Sequence, residues 1–269
     1  MGEGAEGGAT LLLDVARYAG ATLVIGGAGA YLTSTRWARR QSDGRALYAT
    51  TLGVLRRWAL AGAAALVLVA LLQVALRAAL AAGGIPSLES MSRVVSGTRW
   101  GDGWWAQLYV ALLATAGLLI AGRRPRQGWS LATAAALGIA YTLPMTGDDG
   151  AAALDRPAFA LAALHVFGAG IWLGTPLLLI AARRSGAAPH GLAAAAAWTL
   201  GVGTAVAVGS GAILAALKLG SVGALLETAD GKVVLLKLGA AALAGFSART
   251  RPGLALSAGA AALLLAALL

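Results

Sequence analysis

The sequence predicts an all-α integral membrane protein with eight transmembrane helices and both termini outside. Three observations predict it. Of 269 residues, 59% are hydrophobic and only 12% charged, with a mean hydropathy of +0.77. A soluble domain carries about 25% charged residues. The apolar residues also run in blocks long enough to cross a bilayer, which takes about 20 residues at roughly 1.5 Å each. Finally, Lys and Arg gather between alternate blocks.

The first block lies near 11–33 and follows MGEGAEGG, an acidic start with no basic n-region. It is therefore expected to span and stay rather than act as a cleaved signal peptide. The second lies near 56–80, rich in Ala, Leu and Val. A loop then leads to Trp100, Trp104 and Trp105, expected to anchor the outer interface as an aromatic belt. Further blocks lie near 104–122, 127–146, 157–181 and 192–217, and the last two near 233–250 and 253–269. None alternates apolar and polar residues as a barrel strand would. The 38 glycines suit close helix packing in lipid. The chain divides into 1–126, holding helices one to three and the loop to helix four, and 127–269, holding helices four to eight.

Charge sets the orientation. Arg36, Arg39, Arg40, Arg45, Arg56 and Arg57 lie between blocks one and two, and Arg123, Arg124 and Arg126 between three and four. Arg183 and Arg184 follow block five, and Arg249 and Arg251 follow block seven. Alternating helices put all of these on one side, with Glu3, Glu6, Glu89, Asp102, Asp148, Asp149, Asp155, Glu227 and Asp230 opposite. Short loops rich in Lys and Arg stay in the cytoplasm. The net charge of +10 is thus an orientation signal that can also touch anionic lipid. Nucleic acid is not an expected partner.

The two halves are weakly alike. Arg17 precedes Gly26 by the same interval as His165 precedes Gly174, and each helix then exits into arginines. Thr98-Arg99-Trp100-Gly101 before block three matches Thr228-Ala229-Asp230-Gly231 before block seven, with Gln107 and Lys237 at equal distances beyond. Four helices return the chain to its starting side, so such halves form two parallel four-helix repeats. Chance similarity among Ala/Leu/Gly helices is the other reading.

An ionisable group in hydrocarbon costs about 2.5–3.5 kcal/mol on insertion scales, so those that remain face protein or water. Asp14, Arg17, Gln73, Arg77, His165 and Lys237 are such polar groups, all in the outer half. They predict a small polar pocket opening outward. Asp14 and Arg17 stand i, i+3 and can pair. Arg77 and Lys237 can snorkel, and His165 can make an interhelical hydrogen bond. His190 is expected in solvent. Imidazole suits copper, zinc, iron and nickel, and thioether favours Cu(I), which draws in Met91 and Met145. With no cysteine, thiolate metal sites and haem attachment are excluded. One intramembrane histidine excludes bis-histidine haem. No phosphate loop or HExxH is present, and Ser210 in Gly209-Ser210-Gly211 is a mid-helix packing residue. No enzyme activity is expected.

Leu164-His165 followed by Ile171-Trp172-Leu173-Gly174 resembles the copper resistance protein D (CopD) family, including its YcnJ-type members. Ser210-Gly211, Thr228-Ala229-Asp230-Gly231-Lys232 and Leu235-Leu236-Lys237 continue the resemblance, which covers about 157–251. It implies a multi-pass protein of the bacterial cytoplasmic (inner) membrane tied to copper uptake or homeostasis. A periplasmic copper chaperone or membrane partner subunits join the lipid bilayer as implied partners. His165, Trp172, Gly174, Gly231 and Lys237 would be the family positions. His165 would be a copper ligand, Trp172 would line the pocket, Gly174 would allow close helix approach, and Lys237 would pair with an acid or gate the pocket. The family often has Gly-His-Ala at the outer end of block four, where this chain has Gly147-Asp148. Asp230 likewise replaces an aromatic. The copper set becomes His165 with Met145 and Asp148. A non-transporting structural subunit of a larger complex, keeping the fold without the metal, is the alternative.

Overall fold

Where glycine and alanine recur along an apolar helix, another backbone can approach to van der Waals distance, and lipid gives no competing hydrophobic drive. The contacts in a computed structural model follow that rule. The structure describes residues 3–40, 45–146, 156–187, 191–219, 223–228 and 231–232. Among them it is all-helical: α1 (Glu3–Ala38), α2 (Arg45–Ala82), α3 (Leu88–Val95), α4 (Arg99–Ile120), α5 (Pro125–Thr142), α6 (Arg156–Arg184), α7 (Leu192–Leu219) and α8 (Ala224–Glu227). A 3-10 turn, Leu143–Thr146, continues α5.

Among the described residues, five helices are long and apolar enough to cross a membrane: Gly7–Ala38, Leu47–Ala82, Arg99–Ile120, Pro157–Arg184 and Ala194–Leu217. Block four is helical as α5 but is not one of the five. Its Ala132, Ala135, Ala136, Ile139 and Ala140 are buried against neighbouring helices, and Trp129 stacks on Tyr31 with centroids 5.1 Å apart. Blocks seven and eight, with Lys237, Arg249 and Arg251, lie outside the described residues.

α1 and α2 are antiparallel. A Cβ at Gly20 would stand 2.9 Å from the Gly62 carbonyl oxygen, and one at Gly27 would stand 2.9 Å from Ala59 Cβ. Near the other end the hydroxyls of Thr35 and Tyr48 are 3.0 Å apart. α6 and α7 repeat the arrangement. A Cβ at Gly168 would stand 2.9 Å from the Gly203 carbonyl and against Ala207, just as one at Gly20 meets Gly62 and Leu66. Between these pairs α1 crosses α6 at Gly26 and Gly174, backbone on backbone, and each glycine occupies the space the other's Cβ would need. α4 and α5 close together at Gly117, where a Cβ would lie 2.8 Å from the Ala132 amide.

These contacts fix which ends share a level. Arg36, Arg39, Arg40, Arg56, Arg57, Arg123, Arg124, Arg126, Arg183 and Arg184 gather at one end of the bundle. Asp14, Glu89, Asp102 and Glu227 lie toward the other. The hydroxyl of Thr51 reaches the Ala187 carbonyl at the arginine end.

The segment between α2 and α4 departs from a plain loop. Ser87 caps α3, and Ser87 and Ser90 satisfy each other's backbone amides at 3.1 and 2.9 Å. Trp104 corrects the expected belt. It is buried, and its Nε1 donates to the Ala70 carbonyl at 2.7 Å, tying α4 to α2. Trp105 is the exposed neighbour, stacked on exposed Tyr109. Trp100 carries the Arg77 guanidinium 4.4 Å above its ring.

Candidate functional site

α6 places His165 a few turns from its start, facing α7. Its Nδ1 lies 2.8 Å from the Ala207 carbonyl oxygen. A carbonyl only accepts, so Nδ1 carries the hydrogen, and in the neutral ring Nε2 holds the lone pair. Gly211 makes the approach possible, because a Cβ there would stand 2.9 Å from both Nδ1 and Cε1. Ser210, the neighbour of Gly211, turns its hydroxyl back to the Val206 carbonyl at 2.5 Å and the Ala207 carbonyl at 3.3 Å. The Ser-Gly pair therefore serves the histidine indirectly. Serine bonds within its own helix and glycine clears space for the ring.

At the equivalent place in the first pair of helices stands Arg17. It precedes Gly20 by the same interval as His165 precedes Gly168. Arg17 is only 2% exposed. Its Nη2 pairs with Asp14 Oδ1 at 3.0 Å, as the i, i+3 spacing predicted, and its Nη1 donates to Thr146 Oγ1 at 2.6 Å. Its guanidinium also lies 5.4 Å from the Tyr18 ring centroid. Thr146 in turn donates to Gln107 Oε1 at 2.8 Å. The chain Asp14–Arg17–Thr146–Gln107 joins α1, the 3-10 turn and α4. Among the described residues, Arg17 Nε and Gln107 Nε2 are buried donors with no acceptor. Such groups are commonly satisfied by an internal water.

Of the other expected site residues, Met145 lies on the 3-10 turn after α5, where a Cβ at Gly103 of α4 would stand 2.9 Å from its Cβ. Trp172 is half-buried, with its backbone amide beside Gly203. Gly174 makes the α1 crossing. Gly231 is buried, and its amide donates to Thr228 Oγ1 at 3.0 Å. Thr98 caps Gly101 in the same way at 2.9 Å. Asp148, Asp230 and Lys237 lie outside the described residues. Among the described residues no group of three or more His, Cys, Asp or Glu side chains could hold a metal ion. Thr146 is the site residue that the sequence reading passed over, and Gln107 entered it only as the counterpart of Lys237. Gln107 had signalled itself as the one amide within the apolar run of α4.

Comparison with family models, with curated proteins and with solved structures finds no match to this chain. The geometry itself offers two things chemically. One is an imidazole tied through Nδ1 to the Ala207 carbonyl, between α6 and α7. The other is a buried guanidinium paired with Asp14, whose own Nε and the nearby Gln107 Nε2 have no acceptor among the described residues.

Proposed function

We propose that the chain is a CopD-like protein of the bacterial inner membrane that takes up or passes copper from the periplasmic side, with His165 as the ligand from α6. The observation that carries the reading is the His165–Ala207 bond. Metal-binding histidines usually donate their other ring N–H to a carbonyl or carboxylate, which fixes the tautomer and presents the second nitrogen. Here Nδ1 bonds to the Ala207 carbonyl, and the reading assigns Nε2 to copper. The motif resemblance around Leu164–Gly174 and Ser210-Gly211 supports it too, because these residues meet at this point. Copper is cargo here, held briefly. Met145 and Asp148 are the other proposed donors from this chain, and a periplasmic chaperone is the proposed source of the metal.

The reading carries eight helices in two parallel four-helix repeats, with both termini periplasmic. What supports the repeat is the recurrence of contacts. Gly20 on Gly62 is matched by Gly168 on Gly203, the Thr98 cap by the Thr228 cap, and Gly26 meets Gly174 between the halves. The reading assigns no catalysis to the chain.

A second reading is favoured by the same bond. His165 bonded to Ala207 is complete as a staple between α6 and α7, and a non-transporting subunit of a larger membrane complex needs nothing more of it. Copper content decides between them. The full chain in nanodiscs is equilibrated separately with Cu(I) and Cu(II), beside His165→Ala. Near-stoichiometric copper that disappears in the variant is expected. Equal copper in both, or none in the parent, overturns the copper reading in favour of the subunit.

A further inference from the structure

At the arginine end, α4 closes on Ile120 and α5 opens on Pro125. Between them lies a cleft of about 430 Å³ lined by Leu119, Ile120, Arg123, Arg124, Gln127 and Leu131. The lining is divided by chemistry. Arg123, Arg124 and Gln127 are exposed at the rim. Leu119 and Ile120, 57% and 42% exposed, end the membrane-facing side of α4, and Leu131 stands one turn into α5 beyond Gln127.

Three features make the rim an anion site. First, neither Arg123 nor Arg124 has an acidic partner among the described residues; the ion pairs there, Arg17–Asp14 and Arg93–Glu89, lie toward the opposite end. Second, the start of α5 is uncapped. Arg124 at the N-cap makes no side-chain cap bond and Pro125 has no N–H, so the amides of Arg126 and Gln127 emerge from the first turn with the helix dipole behind them. A helix start of that kind takes phosphate readily. Third, a further cation, from α2, stands beside the loop that carries Arg123 and Arg124. The Arg56 guanidinium lies over Gly122, where a Cβ would stand 2.6 Å from Nη1.

We propose that this cleft binds an anionic phospholipid, with its phosphate between Arg123, Arg124 and the start of α5, and its acyl chain along Leu119, Ile120 and Leu131. A free phosphate would use the rim alone, whereas the apolar floor on the bilayer side fits a phosphate that carries a chain. Basic pockets between membrane helices on the cytoplasmic side are recognised places for such headgroups. The site rests on the membrane placement of the helices and is independent of copper.

The test uses the full chain in detergent micelles, titrated with phosphatidylglycerol or with phosphatidylcholine and read by native mass spectrometry. The parent is compared with Arg123→Gln/Arg124→Gln and with Arg183→Gln/Arg184→Gln, which removes the same charge from the same end away from the cleft. Preferential retention of phosphatidylglycerol is expected, weakened about 10-fold or more in the first variant and little changed in the second. Equal weakening in both variants, or no preference for phosphatidylglycerol in the parent, overturns the site. No arm contains copper, so a failure here leaves the copper reading standing, and the reverse holds as well.

Discussion

His165 Nδ1 and the Ala207 carbonyl oxygen, 2.8 Å apart, join α6 to α7 through a side chain and a backbone rather than through two side chains. Interhelical hydrogen bonds of this kind contribute about 0.6 kcal/mol in membranes and about 1.7 at most. His165→Ala should therefore destabilise the bundle by no more than about 2 kcal/mol, seen as a small shift in SDS-induced unfolding. Gly211→Val, which drives two methyl groups into the imidazole, should displace the ring and destabilise more. If Gly211→Val leaves unfolding unchanged, the ring does not sit where its contacts place it.

Glycine substitutions separate contact from propensity. Gly174→Ala puts a methyl group into the α1 backbone and should cost about 1–3 kcal/mol as overpacking. Gly53→Ala lies mid-helix with open space around it, and should be neutral or stabilising by up to about 1 kcal/mol. Opposite signs in the same unfolding assay are the expected outcome.

Thr146 is the centre of the first-half network, accepting from Arg17 and donating to Gln107. Thr146→Val leaves the Arg17 Nη1 donor and the Gln107 acceptor buried without it, at a cost of about 1–3 kcal/mol. Gln107→Leu removes an unpartnered donor along with its acceptor and should cost less. A double-mutant cycle between the two positions should give a coupling of about 0.5–3 kcal/mol. Additive effects would mean that the two side chains do not meet.

Orientation can be read directly, because the chain has no cysteine to remove. A thiol introduced as Ser92→Cys in α3 should react with a membrane-impermeant maleimide in intact cells. One introduced as Ser185→Cys, beside Arg184 after α6, should react only after permeabilisation. The reverse pattern would invert the whole assignment of sides.

Much of the architecture is legible in residue order because its signals are local. An apolar run either is long enough to span or is not, and α1, α2, α4, α6 and α7 overlap the blocks read from hydropathy. The short helix α3 was missed because its capping box uses Ser90 in place of the usual Glu or Gln. Trp104 and Trp105 were read alike because adjacent helical residues differ by about 100° in direction, and which one faces α2 is decided by α2. The site was less legible for a related reason. The Asp14–Arg17 pair follows from spacing within one helix. The acceptor for His165 is a backbone carbonyl, and every residue carries one. Thr146 gains its role only when the turn after α5 folds back beside α1 and α4.

The crossing of Gly26 and Gly174 has a mechanical meaning. Most helix contacts are cushioned by side chains, which can change rotamer and absorb a small tilt. At this crossing main chain bears on main chain, and nothing between the helices can yield. The crossing therefore fixes the distance between α1, which holds Arg17, and α6, which holds His165: neither helix can move toward the other there, because no side chain lies between them to be displaced.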